Sequence, residues 1–224
     1  MKQFTFSAAL ILSAAAIAAA ETAQERLAVS ADVFQEIMAT PDKGIPQDLV
    51  AKAQCVIIVP GLKKGAFLVG AEYGRGFAEC RKDDGFGWGP PGAVRVEGGS
   101  FGLQIGGSST DVVMLVMNKR GMQKLLGDKF TLGADASIAA GPVGRTADAA
   151  TDARLDAEIL AWSRAKGVFA GISLSGATLR NDADVNAELY GRKIGNKEVL
   201  SGAVEPPPAS QALRAALDKY SMRK

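Results

Sequence analysis

The stretch CVIIVPGLKKGAFLVGAEYGRGFAECR, residues 55–81, alternates short apolar runs with glycine-containing turns. Runs of β-branched and aromatic residues bounded by glycine are typical of strands, so the segment predicts three of them, at 55–59, 66–71 and 77–81. Lys63 and Lys64 then lie in a tight hairpin turn. Similar runs at 93–96, 101–105 and 112–117 extend the β-rich unit to residue 117. Its many glycines favour bends and bulges, and therefore a curled sheet over a flat one.

Whether the two cysteines, Cys55 and Cys80, can form a disulfide depends on the order of these strands. In a simple three-strand meander they lie on the two outer strands, roughly 9.6 Å apart at a strand spacing of about 4.8 Å. A disulfide spans Cα atoms no more than about 7 Å apart, so the meander and a bridge are largely exclusive. A curled sheet or another strand order would allow the bridge, and the sequence leaves both possibilities open.

Helices are expected on both sides of the β unit. Short helices are predicted near Pro46 and after Asn118, and a longer helical stretch is predicted at 151–162. Apolar residues recur at helical spacing in the two terminal helices: Leu27, Ala31, Phe34 and Met38 in the first, and Ala212, Leu213, Ala216, Leu217 and Tyr220 in the last. The predicted fold class is α+β, with a curled antiparallel β-sheet or small barrel-like β unit packed with amino- and carboxy-terminal helices.

The first twenty residues have the pattern of a cleavable signal peptide. Lys2 precedes an apolar stretch at 4–20, and Ala18, Ala19 and Ala20 come just before Glu21. The stretch is short, and no basic stop-transfer cluster follows it, which disfavours a membrane anchor. We therefore expect residues 1–20 to be removed, residues 21–224 to form a single domain, and the product to be periplasmic or secreted.

The composition disfavours several classes of function. Histidine is absent, which removes the commonest general base and metal ligand. Two cysteines are too few for a thiolate zinc site. The formal net charge of +2 gives no strong field to attract nucleic acid. We expect a protein that is not an enzyme, holds no metal or cofactor, and does not bind nucleic acid.

Three blocks of the sequence carry a family resemblance. They are GGSFGLQIGGSSTDVVMLVMN at 98–118, GDKFTLGADASIAAGPVGRTADAATD at 127–152 and AEILAWSRAKGVFAGISLSGATL at 157–179. In this order and spacing they closely resemble the SYLF domain family, and the resemblance extends over about residues 26–221. It implies a lipid-binding module, because eukaryotic relatives bind phosphoinositides and, in some cases, actin, and bacterial relatives are exported. An exported chain meets no actin, so the expected partner is a phospholipid or membrane surface.

Lipid binding requires cations at the rim of the site to contact phosphate. The candidates are Lys63, Lys64, Lys119, Arg120 and Lys124. An equally acceptable interpretation is that these side chains are simply solvated.

Two other functions stay open. A structural or protein-interaction domain of the cell envelope, with an envelope protein as partner, is the main alternative. A hydrolase using carboxylates alone is less favoured. Asp111 is better explained as a turn or cap residue that accepts backbone N–H groups. The remaining acidic set is Asp135, Asp148, Asp152, Asp156 and Glu158.

Overall fold

Nine strands form one sheet in the computed structural model, which describes residues 21–40, 44–67, 69–82, 85–101, 106–143, 157–165 and 168–221. The expected signal peptide lies outside these residues and stays a prediction. The strands are β1 (Cys55–Phe67), β2 (Val69–Cys80), β3 (Gly92–Phe101), β4 (Gly106–Val116), β5 (Lys129–Thr131), β6 (Ile138–Ala140), β7 (Ile159–Ala165), β8 (Val168–Gly171) and β9 (Thr178–Asn181).

The sheet has the order β5-β9-β3-β2-β1-β4-β7-β6, and β8 pairs with β7. All pairs are antiparallel except β6 with β7. The sheet is strongly curled, and helices from both ends of the chain accompany it. The expected α+β fold with a curled sheet is confirmed, with one parallel pair added.

The helices pack mainly on one face of this sheet. Among the described residues, none of them is long and apolar enough to cross a bilayer. Their bounds are α1 (Ala23–Met38), α2 (Gln47–Lys52), α3 (Lys119–Leu125), α4 (Ala183–Tyr190), α5 (Asn196–Leu200) and α6 (Gln211–Tyr220). Thr22 begins α1 with a reciprocal capping box to Glu25. Asn118 caps α3, as the sequence predicts.

Two hydrophobic cores lie on opposite faces of the same strands. Ile58 and Phe77 join Leu27, Phe34 and Leu217 in the core between the sheet and the helices. The next residues along the strands, such as Ile57 and Ala78, contribute to a second core inside the curl. Because side chains alternate along a strand, each central strand contributes to both cores.

One long hairpin replaces the expected meander over residues 55–81. β1 and β2 pair from Cys55 opposite Cys80 to Phe67 opposite Val69, so the three-strand arrangement is wrong. The two cysteines lie on neighbouring strands, with their Cα atoms 4.0 Å apart, and they are disulfide-bonded. The disulfide that the sequence left open is therefore present.

A β-bulge in β1 explains why this hairpin was hard to predict. The register with both neighbouring strands shifts by one residue around Pro60 and Gly61, and Gly61 has a φ of 57°. Proline and left-handed glycine suit a bulge because proline has no N–H for the ladder. The Asp111 carboxylate accepts the Gly61 N–H at 2.9 Å, which confirms the expected acceptance of a backbone N–H. Asp111 lies inside β4, however, so its expected position in a turn or cap is wrong. Lys63 and Lys64 follow the bulge inside β1, so their placement in a turn is wrong.

The helix expected at 151–162 is wrong over its described part. Residues 159–162 begin strand β7, and residues 151–156 lie outside the described residues. Ile159 to Trp162 are all buried because β7 lies between β4 and β6 and is covered on both faces. The sequence of a fully buried strand is a continuous apolar run, and periodicity alone does not distinguish such a run from a buried helix.

Replacing Cys55 and Cys80 together with alanine should lower the free energy of unfolding by about 3 kcal/mol, because the bridge restricts the unfolded chain. Guanidinium unfolding of the oxidised protein and of the C55A/C80A variant measures the difference. Two alkylated thiols in the denatured but unreduced protein would contradict the pairing.

Candidate functional site

The five cations proposed from the sequence do not form one site. Lys63 and Lys64 are consecutive strand residues, so their side chains leave opposite faces of the sheet. The Lys64 Nζ atom is 3.0 Å from a carboxylate oxygen of Glu72, which lies directly opposite on β2. Lys63 is exposed and lies opposite Tyr73. Only Lys63 therefore stays available on the face that also carries the helices.

The other three cations lie at the far end of the sheet. Lys119, Arg120 and Lys124 are exposed on α3, which follows the end of β4. Lys63 is opposite Ser109, seven residues before Val116 at the end of that strand, which corresponds to about 23 Å. The Arg120 Nε atom is 3.5 Å from Glu158. The α3 cations and Lys63 cannot contact the same headgroup.

A different set of cations is aligned across four neighbouring strands. Arg75 on β2 lies opposite Arg95 on β3. Arg95 in turn lies opposite Arg180 on β9, and Arg180 lies opposite Lys129 on β5. Directly opposed residues project from the same face of an antiparallel sheet. We call these four residues the basic row.

The basic row is accessible to a ligand. The side chains of Arg75, Arg95 and Arg180 are 37%, 25% and 40% exposed, and Lys129 is also exposed. With a strand spacing of about 4.8 Å, the row is about 14 Å long. Like charges directly opposite each other destabilise a sheet. Four successive cations are therefore unfavourable unless nearby carboxylates or a ligand compensate their charge.

Two carboxylates offset part of this charge. The Glu97 carboxylate lies 2.8 Å from Arg95 Nε and 3.1 Å from Arg180 Nη1, so it holds both guanidinium groups. Asp182 is 1% exposed and lies 3.0 Å from Arg75 Nε. Asp135 lies with Lys129 and Arg180 around a cavity at the β5 end and offsets a further charge, so four cations against three carboxylates leave a small net positive charge, to which Lys63 adds.

An aromatic side chain borders the basic row. Tyr73 lies two residues before Arg75 on the same face of β2, with Lys63 opposite it on β1 and Glu97 opposite it on β3. It is 43% exposed, and the Arg75 guanidinium carbon is 5.9 Å from the centre of its ring. Tyrosine combines an apolar ring with a polar hydroxyl, a combination that is favoured at membrane–water interfaces.

A small polar cavity opens at the β5 end of the row. It has a volume of about 240 Å³. The polar side chains that line it are Glu97, Lys129, Thr131, Asp135, Thr178 and Arg180. The cations and hydroxyl groups can donate to the oxygens of a phosphate-bearing group, whereas the Glu97 and Asp135 carboxylates in the same lining oppose an anion. The cavity is too small and too polar for an acyl chain.

The acidic residues proposed for the hydrolase alternative have structural contacts where they are described. Asp135 accepts the Thr131 N–H at 2.7 Å, and Glu158 accepts the Ser137 N–H at 2.8 Å. Asp148, Asp152 and Asp156 lie outside the described residues. Within the part of the chain that the structure describes, no three metal-ligating side chains are grouped.

Sequence reasoning missed the basic row because its members are far apart along the chain. Residues 75, 95, 129 and 180 are brought together only by the register of four strands. A search for neighbouring cations finds the Lys63–Lys64 pair and the α3 group instead. An alternation of arginine with glycine and valine in 74–76 and 94–96 was the available signal.

A family model described as "Ysc84: Las17-binding protein actin regulator" matches residues 97–220, more than half of the chain. The chain belongs to this family. The match confirms the resemblance to the SYLF domain, which is the domain of the Ysc84 family.

Members of the Ysc84 family with considerable similarity come from fungi and animals. The chain is 39% identical over 178 residues to an SH3 domain-containing protein of Schizosaccharomyces pombe, covering 78% of this chain and 41% of that protein. It is 35% identical over 181 residues to LAS seventeen-binding protein 3 of Saccharomyces cerevisiae, covering 79% and 39%. SH3 domain-containing YSC84-like protein 1 of Homo sapiens is 32% identical over 182 residues, covering 81% and 53%. The chain thus spans only about two fifths to one half of these relatives.

The expectation that actin is excluded as a partner needs correction. It rested on the expected export of the chain, whereas the Ysc84 family is described as an actin regulator and its relatives as Las17-binding proteins. These descriptions point to partners of the actin cytoskeleton for the family. The list of partners drawn from the sequence, limited to lipid and envelope proteins, was therefore too narrow.

Anion binding to the basic row should appear as increased thermal stability in inorganic phosphate. At a phosphate concentration ten times the Kd, the stabilisation is about 1.4 kcal/mol. Thermal unfolding in phosphate and in chloride at equal ionic strength measures this difference. The R95Q/R180Q variant should lose the difference, whereas K119Q/K124Q, which removes the same charge from α3, should keep it. An equal response of both variants would show a general salt effect.

Proposed function

We propose that the domain is a non-catalytic module that binds the surface of an anionic phospholipid membrane. The observation that carries this proposal is the basic row, in which four cations stand in register across β2, β3, β9 and β5. Several cations on one face of a rigid sheet can contact several headgroups at once. Each basic residue near an anionic bilayer contributes about 1 kcal/mol, so a row of this size provides useful affinity.

The surroundings of the row favour binding to a surface over extraction of a lipid from it. Tyr73 offers an exposed aromatic ring beside Arg75, which suits the headgroup level of a bilayer. The cavity next to Arg180 is polar and combines two cations with two carboxylates, so it does not suit an acyl chain. The acyl chains would stay in the membrane.

The predicted signal peptide adds a location to this proposal. The stretch at 1–20 has the charge, apolar run and small residues of an export signal. The membrane surface would then be one that a periplasmic or secreted protein reaches. The Cys55–Cys80 disulfide is consistent with an oxidising compartment.

The R95Q/R180Q variant should bind phosphatidylglycerol-containing vesicles about 30-fold more weakly than the unchanged domain, because two contributions of about 1 kcal/mol are lost. Flotation with vesicles of increasing phosphatidylglycerol content measures the affinity. The matched K119Q/K124Q variant should change it by less than about threefold. Binding should also weaken as salt shortens the Debye length from about 10 Å at 0.1 M.

Two outcomes of this experiment would overturn the proposal. Equal binding to phosphatidylcholine and to phosphatidylglycerol vesicles would show that the charge of the lipid does not determine binding. Equal losses in the two double variants would mean that the basic row is not the contact surface. Circular dichroism of each variant establishes that the fold is retained.

A second candidate function is protein interaction, which the descriptions of the relatives favour. The net positive surface around Arg75, Arg95 and Arg180 would suit an acidic protein surface as well as a membrane. Co-sedimentation with filamentous actin tests this candidate directly. Retention of the domain by filaments, lost in R95Q/R180Q and combined with an absence of vesicle binding, would favour the protein partner.

A further inference from the structure

The cavity of about 240 Å³ at the β5 end of the basic row is built on two neighbouring rungs of the sheet. In the first rung, Lys129 on β5 lies opposite Arg180 on β9, and in the second rung Thr131 lies opposite Thr178. The two rungs are two residues apart on each strand, so all four side chains project from the same face. Glu97 on β3 lies opposite Thr178 and extends the second rung. The cavity therefore combines a cationic rung with a rung of hydroxyl groups that ends in a carboxylate.

The cationic rung and the hydroxyl groups have donors left for a ligand. Lys129 is exposed and makes no ion pair with a described residue. Arg180 uses Nη1 for Glu97 at 3.1 Å, and a guanidinium group carries five N–H donors. The hydroxyl groups of Thr131 and Thr178 make no hydrogen bond within the described part of the chain. A phosphate group placed here would receive hydrogen bonds from both rungs, with charge assistance from the first.

The two carboxylates of the lining differ in what they can offer a ligand. Glu97 is engaged by Arg95 Nε at 2.8 Å and by Arg180 Nη1 at 3.1 Å. Asp135 is exposed, and its Oδ2 atom accepts the Thr131 N–H at 2.7 Å. Its Oδ1 atom has no hydrogen-bond partner among the described residues. Asp135 is thus the carboxylate with an acceptor available to a ligand, and the Thr131 backbone fixes its position.

The charges of the cavity are balanced and separated. Two cations stand against two carboxylates, so a simple anion or a simple cation would be attracted by one pair and repelled by the other. The Asp135 carboxylate is held at Thr131, two residues from Lys129, which is about 7 Å along β5. A ligand with a negative and a positive group a few bonds apart would satisfy both ends. The cavity has the volume of about eight water molecules, and an ethanolamine phosphate group has about the same number of non-hydrogen atoms.

We propose that this cavity binds a zwitterionic headgroup of the phosphatidylethanolamine class: the phosphate contacts Lys129, Arg180 and the two threonine hydroxyl groups, and the primary ammonium contacts Asp135. The ammonium offers three N–H donors, whereas the quaternary ammonium of a choline headgroup offers none. The inference rests on the proposed membrane binding for the source of the headgroup. The basic row attracts the domain to an anionic surface, and the cavity then distinguishes between lipids of zero net charge within that surface.

Flotation with vesicles of constant phosphatidylglycerol content tests the choice of headgroup. Replacing phosphatidylcholine by phosphatidylethanolamine should strengthen binding of the unchanged domain by about threefold, which is the contribution of one exposed ion pair. The D135N variant keeps an oxygen that accepts the Thr131 N–H but loses the charge, so its preference for phosphatidylethanolamine should disappear. On vesicles without phosphatidylethanolamine, the same variant should bind more tightly, by up to about fivefold, because a negative charge near an anionic surface has been removed.

The D128N variant provides the matched control. Asp128 is exposed immediately before Lys129, and it does not line the cavity. Its replacement should strengthen binding to both vesicle types equally and leave the preference for phosphatidylethanolamine in place. Loss of the preference in both variants, or its retention in D135N, would overturn the inference. Binding that depends on phosphatidylglycerol but not on phosphatidylethanolamine would also overturn it, while the proposed membrane binding would stand.

Nuclear magnetic resonance with soluble headgroups provides a second measurement that needs neither a membrane nor a variant. Glycerophosphoethanolamine should shift the amide resonances of Lys129, Thr131 and Thr178 in a saturable way, and glycerophosphocholine should bind about threefold more weakly. Equal affinities for the two compounds would refute recognition of the ammonium. Saturable binding of glycerophosphoethanolamine together with equal flotation on both vesicle types would overturn the lipid as the source and assign the site to a free phosphate ester that carries an amine.

Discussion

The antiparallel pairing of β1 with strands on both of its sides is the constraint on which the rest of the domain depends. β2 and β4 are both hydrogen-bonded to β1 over most of its length, and Cys55 lies opposite Cys80 on one side and Val116 on the other. The bulge at Pro60 and Gly61 then reverses the faces on which the following side chains project. As a result Leu62 enters the core inside the curl, whereas Lys63 faces the side with the helices.

Local sequence patterns were sufficient to predict most of the helices and strands, but they were insufficient to predict how the strands pair. The terminal helices, α2 and α3 follow from spacing and capping residues that lie close together in the sequence. The long hairpin was read as three strands because Gly61 and Gly65, and then Gly74 and Gly76, look like turns. Gly61 instead serves the bulge, and a Cβ atom at Gly74 would lie 2.7 Å from a Val59 methyl group. At Gly76, a Cβ atom would lie 1.9 Å from the Ile58 carbonyl oxygen, so this glycine serves packing between the strands.

The candidate site illustrates the same limit more clearly. Lys63 and Lys64 are neighbours in the sequence but point to opposite faces, whereas Arg95 and Arg180 are remote in the sequence and adjacent in the sheet. Such a site depends on register, which sequence spacing does not provide. The expectation about actin failed for another reason, because it excluded this partner from the expected export of the chain alone, whereas the family is described as an actin regulator.

The two cores described above share their strands, and this sharing affects how the domain unfolds. Consecutive residues of β1, such as Ile57 and Ile58, belong to different cores, so neither core can lose its packing while the strand keeps its place in the other. Partial unfolding of one layer would expose backbone hydrogen bonds of the other to water. The central sheet is therefore a single cooperative unit, and independent opening is restricted to elements attached at its margin.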